Sequence, residues 1–70
     1  MERIVINTPY ITLGQLLKMK DIISSGGEAK YFLSENVVFV NGEEDNRRGR
    51  KLYNNDVVKV LGKEFIINDK

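Results

Sequence analysis

Apolar positions along the chain follow two periods. "RIVI", from Arg3 to Ile6, alternates weakly and is β-branched, which predicts a short edge strand ending before Pro9. "TLGQLLKMK" has the helical period: Leu13, Leu16 and Leu17 share one face, with Gln15 and Lys18 pointing away. Thr12 and Gln15 stand three apart, the spacing at which each side chain satisfies a backbone N–H that the helix start leaves free. A helix is expected from that point, with Ile22 and Ile23 closing it against the core.

"SSGGEAKYFLSEN" repeats the pattern, with Ser25 and Glu28 at capping-box spacing and Ala29, Phe32 and Leu33 as the inward stripe of a second helix. Lys30 faces outward, and Asn36 is expected to end the helix in a left-handed conformation, which asparagine tolerates. "VVFV", Val37 to Val40, is a continuous apolar run that predicts a buried strand, and Asn41-Gly42 reverses the chain after it. "VVKVL" from Val57 and "EFII" from Glu64, with a turn around Gly62, predict a closing hairpin. The sum is α+β: two packed N-terminal helices followed by a small, mostly antiparallel β-sheet. The longest irregular connection is "EEDNRRGRKLYNND".

Seventy residues predict a single domain with a compact core. With 41% hydrophobic and 30% charged residues the chain has the balance of an ordinary globular protein. No apolar run reaches the roughly 20 residues that span a bilayer, and the N-terminus lacks a secretion pattern, so the expected location is cytoplasmic with no membrane partner. There is no cysteine, hence no disulfide, thiolate metal site or cysteine nucleophile. There is no histidine either, which removes the commonest general base and metal ligand. No cofactor, metal, small-molecule substrate or catalysis is expected.

Charge then singles out one stretch. Glu43, Glu44 and Asp45 are followed by Arg47, Arg48, Arg50 and Lys51, although the formal net charge of the whole chain is only +1. One reading is a solvated loop whose bases pair with its own acids. The other is a phosphate-binding clamp: arginine's forked donors suit phosphate oxygens, and Gly49 lets a backbone approach closely. The acids would then fix the loop's orientation, and Lys18 and Lys30 would extend the patch from the helix faces. Gly26 and Gly27 offer backbone N–H groups to an anion, or simply start a helix. Phe32, Phe39 and Phe65 are expected in the core; Tyr10, Tyr31 and Tyr53 are the candidates for exposed aromatics, and Asp56 reads as a turn residue.

"LGQLLK", "GGEAKYFLSENVVFVNGEE" and "LYNNDVVKV" together resemble the S-four RNA-binding domain, the small module named for the fourth protein of the small ribosomal subunit. The resemblance runs from about Thr12 to Leu61, and Val40-Asn41-Gly42 and Asp56-Val57-Val58 carry it. Asn36 and Asn55 stand where that family usually has glycine, and Gly27-Glu28 stand where many members have serine and arginine. "SGGEAK" with "RRGRK" is closer to a stand-alone bacterial branch. The resemblance implies binding of structured, plausibly ribosomal RNA without catalysis. A regulatory adaptor that docks on an acidic protein surface is the alternative, because a loop of mixed charge also suits that partner.

Overall fold

The structure is a computed structural model and describes residues 1–70. It is α+β, but the expected order of helices first and sheet afterwards is corrected: β1 (Glu2–Ile6) and β2 (Ile11–Thr12) precede α1 (Leu13–Met19). Then come α2 (Glu28–Glu35), β3 (Val38–Val40), β4 (Glu43–Glu44), β5 (Lys51–Leu52), β6 (Val57–Val60) and β7 (Lys63–Asp69). The main sheet has the order β1-β7-β6-β3-β4, and β2 pairs with β5 in a second, two-stranded sheet. No helix is long and apolar enough to cross a membrane.

The reason for the early strand is the length of β7. Beyond "EFII" it continues to Asp69 and presents a full edge, which β1 covers in parallel from Glu2↔Phe65 to Ile6↔Asp69. The remaining pairs of the main sheet are antiparallel. β1 does lie at a sheet edge, as "RIVI" predicts.

One face of the main sheet is the core. Ile4, Ile6, Val38, Val40, Val58, Val60, Phe65 and Ile67 point inward and meet Leu13, Leu16, Leu17, Ile23, Ala29 and Leu33 from the helical segment. Ile11 and Leu52, register partners in the small sheet, complete it. The other face is open. Val37 is therefore exposed and Phe39 is 39% exposed, against the expectation of a wholly buried strand and a buried Phe39. A strand covered on one side alternates even when its sequence does not. Phe65 is buried, and Phe32 is half-buried against the core.

At seven residues, α1 is too short to be helical alone and depends on its caps and its packing. The Thr12–Gln15 capping box forms at both bonds. The far end closes through Asp21, whose φ is +57°: its N–H donates to the Lys18 carbonyl and the Ile22 N–H to the Leu17 carbonyl. Ile22 and Ile23 thus pack against the core as expected, from just beyond the end of the helix.

The box expected at the start of α2 does not form. Gly27 is the N-cap and makes no side-chain cap bond, while Glu28 receives the Ser24 hydroxyl. Two consecutive glycines at about 1 kcal/mol each disfavour extending the helix back to Ser25. Asn36 is also corrected. Its backbone is extended (φ −131°), and it ends the helix by donating both its N–H and its side-chain amide to the Phe32 carbonyl.

The left-handed positions lie in the turns. Asn41-Gly42 and Leu61-Gly62 have positive φ at both residues, the twist that two-residue hairpins need. Asn55 has φ +74°, as its place in the turn requires. Asn55→Gly is expected to be neutral or slightly stabilising and Asn55→Val to cost about 1 kcal/mol or more. Asn36→Gly is expected to lower stability by about 1 kcal/mol, through removal of the amide bond and added chain entropy. Thermal melts of the three variants check this; equal melting temperatures for the two Asn55 variants would contradict the turn assignment. Leu61 holds its left-handed conformation (φ +52°) without the tolerance of asparagine, so Leu61→Asn is expected to stabilise by roughly 0.5–1 kcal/mol in denaturant titrations.

Candidate nucleic-acid interface

The charged stretch is shorter and more ordered than a long loop. Glu43–Glu44 pair with Phe39 and Val40 as β4, and Lys51–Leu52 pair with β2, leaving residues 45–50 as the connection. Two-residue strands leave no periodic signal, which is why both read as loop. Asp45 begins the connection with its N–H on the Val38 carbonyl, and an Arg50 N–H to Arg47 carbonyl bond turns the chain.

The loop's backbone then serves the helix. The Arg50 carbonyl accepts the N–H of Leu13 at 2.8 Å, and the Arg48 carbonyl accepts that of Gly14 at 2.9 Å. With the Thr12 hydroxyl on Gln15, each of the first three N–H groups of α1 has a partner. A Cβ on Gly14 would lie 3.3 Å from the Arg48 carbonyl oxygen, so the absence of a side chain there permits the approach.

Asp45 holds the side chains. Its Oδ1 accepts from the Arg47 backbone N–H (2.9 Å) and Nε (3.1 Å), and its Oδ2 accepts from Arg47 Nη2 (2.8 Å) and Arg50 Nη1 (2.9 Å). The carboxylate is 8% exposed, Arg50 29% and Arg47 69%. The Arg47 side-chain bond outweighs the cost of burial, and with the Arg47 N–H and Arg50 it holds the Asp45 carboxyl well below the usual carboxylate range. Self-pairing of acids with bases is thus real, but it rests on Asp45 alone. No salt bridge joins Glu43 or Glu44 to the arginines.

The four bases are therefore unequal. Arg50 is mainly a strut, since its Nε also donates to the Lys51 carbonyl at 3.3 Å. Arg47 is anchored yet solvent-facing. Arg48 makes no side-chain hydrogen bond or ion pair, and Lys51 has no acid partner; its Nζ lies 5.1 Å from the centroid of the Tyr10 ring. The loop divides two open grooves. Lys18, Gln15, Gly26 and Arg48 border one, and Arg47, Arg50, Lys51, Tyr53 and Asp56 border the other, with Gly49 on the ridge between them. Nothing lies within 4 Å of where a Cβ on Gly49 or Gly26 would be. Gly27 and Lys30 border neither groove, so the two helices do not extend the patch equally.

Asp56 is indeed a turn residue, and it does more. Its N–H closes the turn on the Tyr53 carbonyl, its Oδ2 accepts the Tyr53 N–H, and its Oδ1 accepts the Asn41 side-chain amide. Asn41 also exchanges backbone and side-chain bonds with Val57. The two turns are thereby tied together. Sequence reading missed Asp45 as the hub, although an aspartate two residues before Arg47 is the spacing of a side-chain turn. It also missed that Tyr10 and Tyr53 meet, because their approach depends on the short β2–β5 pair.

Residues 4–68 match the model of a family described as S4 domain. A relative, "Probable ribosome maturation protein RlbA" of Bacillus subtilis (strain 168), is 64% identical over 59 residues, taking in 84% of this chain and 83% of that protein.

Because a depressed native pKa stabilises the fold above the unfolded value, the Asp45 contribution is complete above about pH 4 and is lost as the pH falls from there. Asp45→Asn is expected to destabilise by about 1–2 kcal/mol at pH 7, less than a buried pair would give because Arg47 is exposed. The gap between parent and variant should shrink as denaturation is repeated at lower pH. A gap that stays constant down to pH 2 would rule out the carboxylate's charge as the cause.

Proposed function

The chain belongs to the S4 domain family, and on that footing we propose that it is a non-catalytic, cytoplasmic RNA-binding protein that engages structured RNA, ribosomal RNA foremost, during ribosome maturation. The observation that carries this reading is a pair of cations without acid partners, Arg48 on a loop whose backbone is held by α1 and Asp45, and Lys51 at the start of β5 where that loop ends. Cations carried on a fixed backbone follow the phosphates of a folded helix more readily than they read splayed bases.

In this reading phosphates run over the Gly49 ridge. Arg48 and Lys18 hold the strand in one groove, and Lys51 and the free edge of Arg47 hold it in the other. Arg50 positions the loop and adds charge. Gly26 leaves room for a phosphate beside Lys18, with Gly27 next to it, and Lys30 serves only a longer RNA that reaches along α2. The name of the Bacillus relative supports a ribosomal context.

The unequal bases make the test sharp. Arg48→Ala and Lys51→Ala are each expected to weaken binding to a ribosomal RNA hairpin and to reduce the salt slope by about 0.7–0.9 for each phosphate no longer neutralised. Their melting temperatures should match the parent's. Arg50→Ala should lower both affinity and melting temperature, because it removes a bond to Asp45. An Arg48/Lys51 double variant with unchanged affinity and slope would overturn the reading, as would equal competition by an unstructured strand of the same length.

A further inference from the structure

We propose that the groove between Arg47 and Tyr53 takes one unpaired nucleotide of the RNA, with its base stacked on the Tyr53 ring and its phosphate on Lys51. The proposal rests on the RNA reading above and adds what the groove selects. β2 and β5 pair at Ile11↔Leu52, which brings the flanking residues Tyr10 and Tyr53 together with ring centroids 5.7 Å apart and planes tilted by 49°. Both rings stay out of the core, Tyr10 37% and Tyr53 49% exposed.

The two exposed rings are not equivalent. The Lys51 ammonium lies over Tyr10, so that ring is already engaged by a cation. Tyr53 instead borders the open groove beside Arg47, Gly49 and Arg50. Its backbone is fixed by the N–H to Asp56 Oδ2 bond at 2.8 Å. Asp56, the one acid in the groove, gives its other oxygen to the Asn41 amide at 3.0 Å, so both of its oxygens are already engaged. A half-exposed aromatic ring bordering a groove that guanidinium and ammonium groups also line suits a base and its phosphate together. A fully paired helix cannot use it, because its bases are stacked on one another. The groove therefore distinguishes a helix with an extruded nucleotide from a perfect one.

The test compares three hairpins of one sequence at physiological salt: one with a single-nucleotide bulge, one with an abasic site at the bulge, and one fully paired. Bulges of all four bases are run. The parent is expected to prefer at least one bulged hairpin over the abasic one by about 5- to 100-fold. Tyr53→Phe should keep that preference; Tyr53→Ala should abolish it, so that bulged and abasic hairpins bind that variant equally, while its melting temperature falls modestly because the contact with the Tyr10 ring is lost. Equal binding of bulged and abasic hairpins by the parent overturns the stacking proposal alone, a result that does not depend on any variant folding. Retention of the preference by Tyr53→Ala overturns it as well. Binding to none of the three overturns the RNA reading and the proposal together.

Discussion

The N-terminus of a seven-residue helix cannot be left open, and here it is closed by the backbone of the charged loop. The Arg48 and Arg50 carbonyls take the N–H groups of Gly14 and Leu13, and the loop in turn rests on Asp45. This exchange does two jobs. It completes an element that propensity alone would not hold, and it fixes the Cα positions of the residues that carry the cations. The loop needs α1 for its shape, and α1 needs the loop for its start. Gly14 is the sequence feature that eases the approach, since a Cβ there would crowd the Arg48 carbonyl oxygen at 3.3 Å.

The same arrangement explains why a run of bases is not a uniform patch. Guanidinium groups that close are mutually repulsive, and one nearly buried carboxylate between Arg47 and Arg50 offsets this. The consequence is that part of the positive charge is neutralised internally. The cations left without an acid beside the two grooves are Arg48, Lys51 and, across the ridge, Lys18, next to the solvent-facing edge of Arg47. Lys20, close by in sequence, is paired with Glu2 and lies over the Phe65 ring, so it belongs to the scaffold.

Legibility followed the range of the interactions involved. The Thr12–Gln15 box, the Leu13-Leu16-Leu17 stripe, the Asn41-Gly42 turn and the β6–β7 hairpin each depend on neighbours a few residues away, and all were readable from local spacing. The Ser25–Glu28 box was equally local and failed, because the two glycines between compete with it. Asn36 ends its helix as expected but with a side-chain bond in place of a left-handed backbone. What remained hidden needs distant partners: the parallel β1–β7 pair joins the two ends of the sequence, and β2–β5 brings residues 11–12 to 51–52. The outward face of Phe39 was hidden too, since nothing in "VVFV" states that only one side of the sheet is covered. Of the site, the cations were legible by type; their inequality was not, because it turns on which of three neighbouring acids is nearly buried.

A formal net charge of +1 gives this molecule little long-range pull on a polyanion, and at physiological ionic strength such pull fades within about 8 Å. Discrimination between polyanions then has to arise at contact. Contacts discriminate only when the groups that make them are held at fixed spacings, since a flexible cation adapts to any phosphate it meets. The Asp45 hub, the carbonyls on α1 and the Asn41–Asp56 tie each remove such adaptability from a different part of the loop and its following turn. In the proposed RNA-binding role, low net charge and a fixed loop backbone are thus complementary: the first limits indiscriminate adhesion, and the second fixes the points from which the remaining cations reach out.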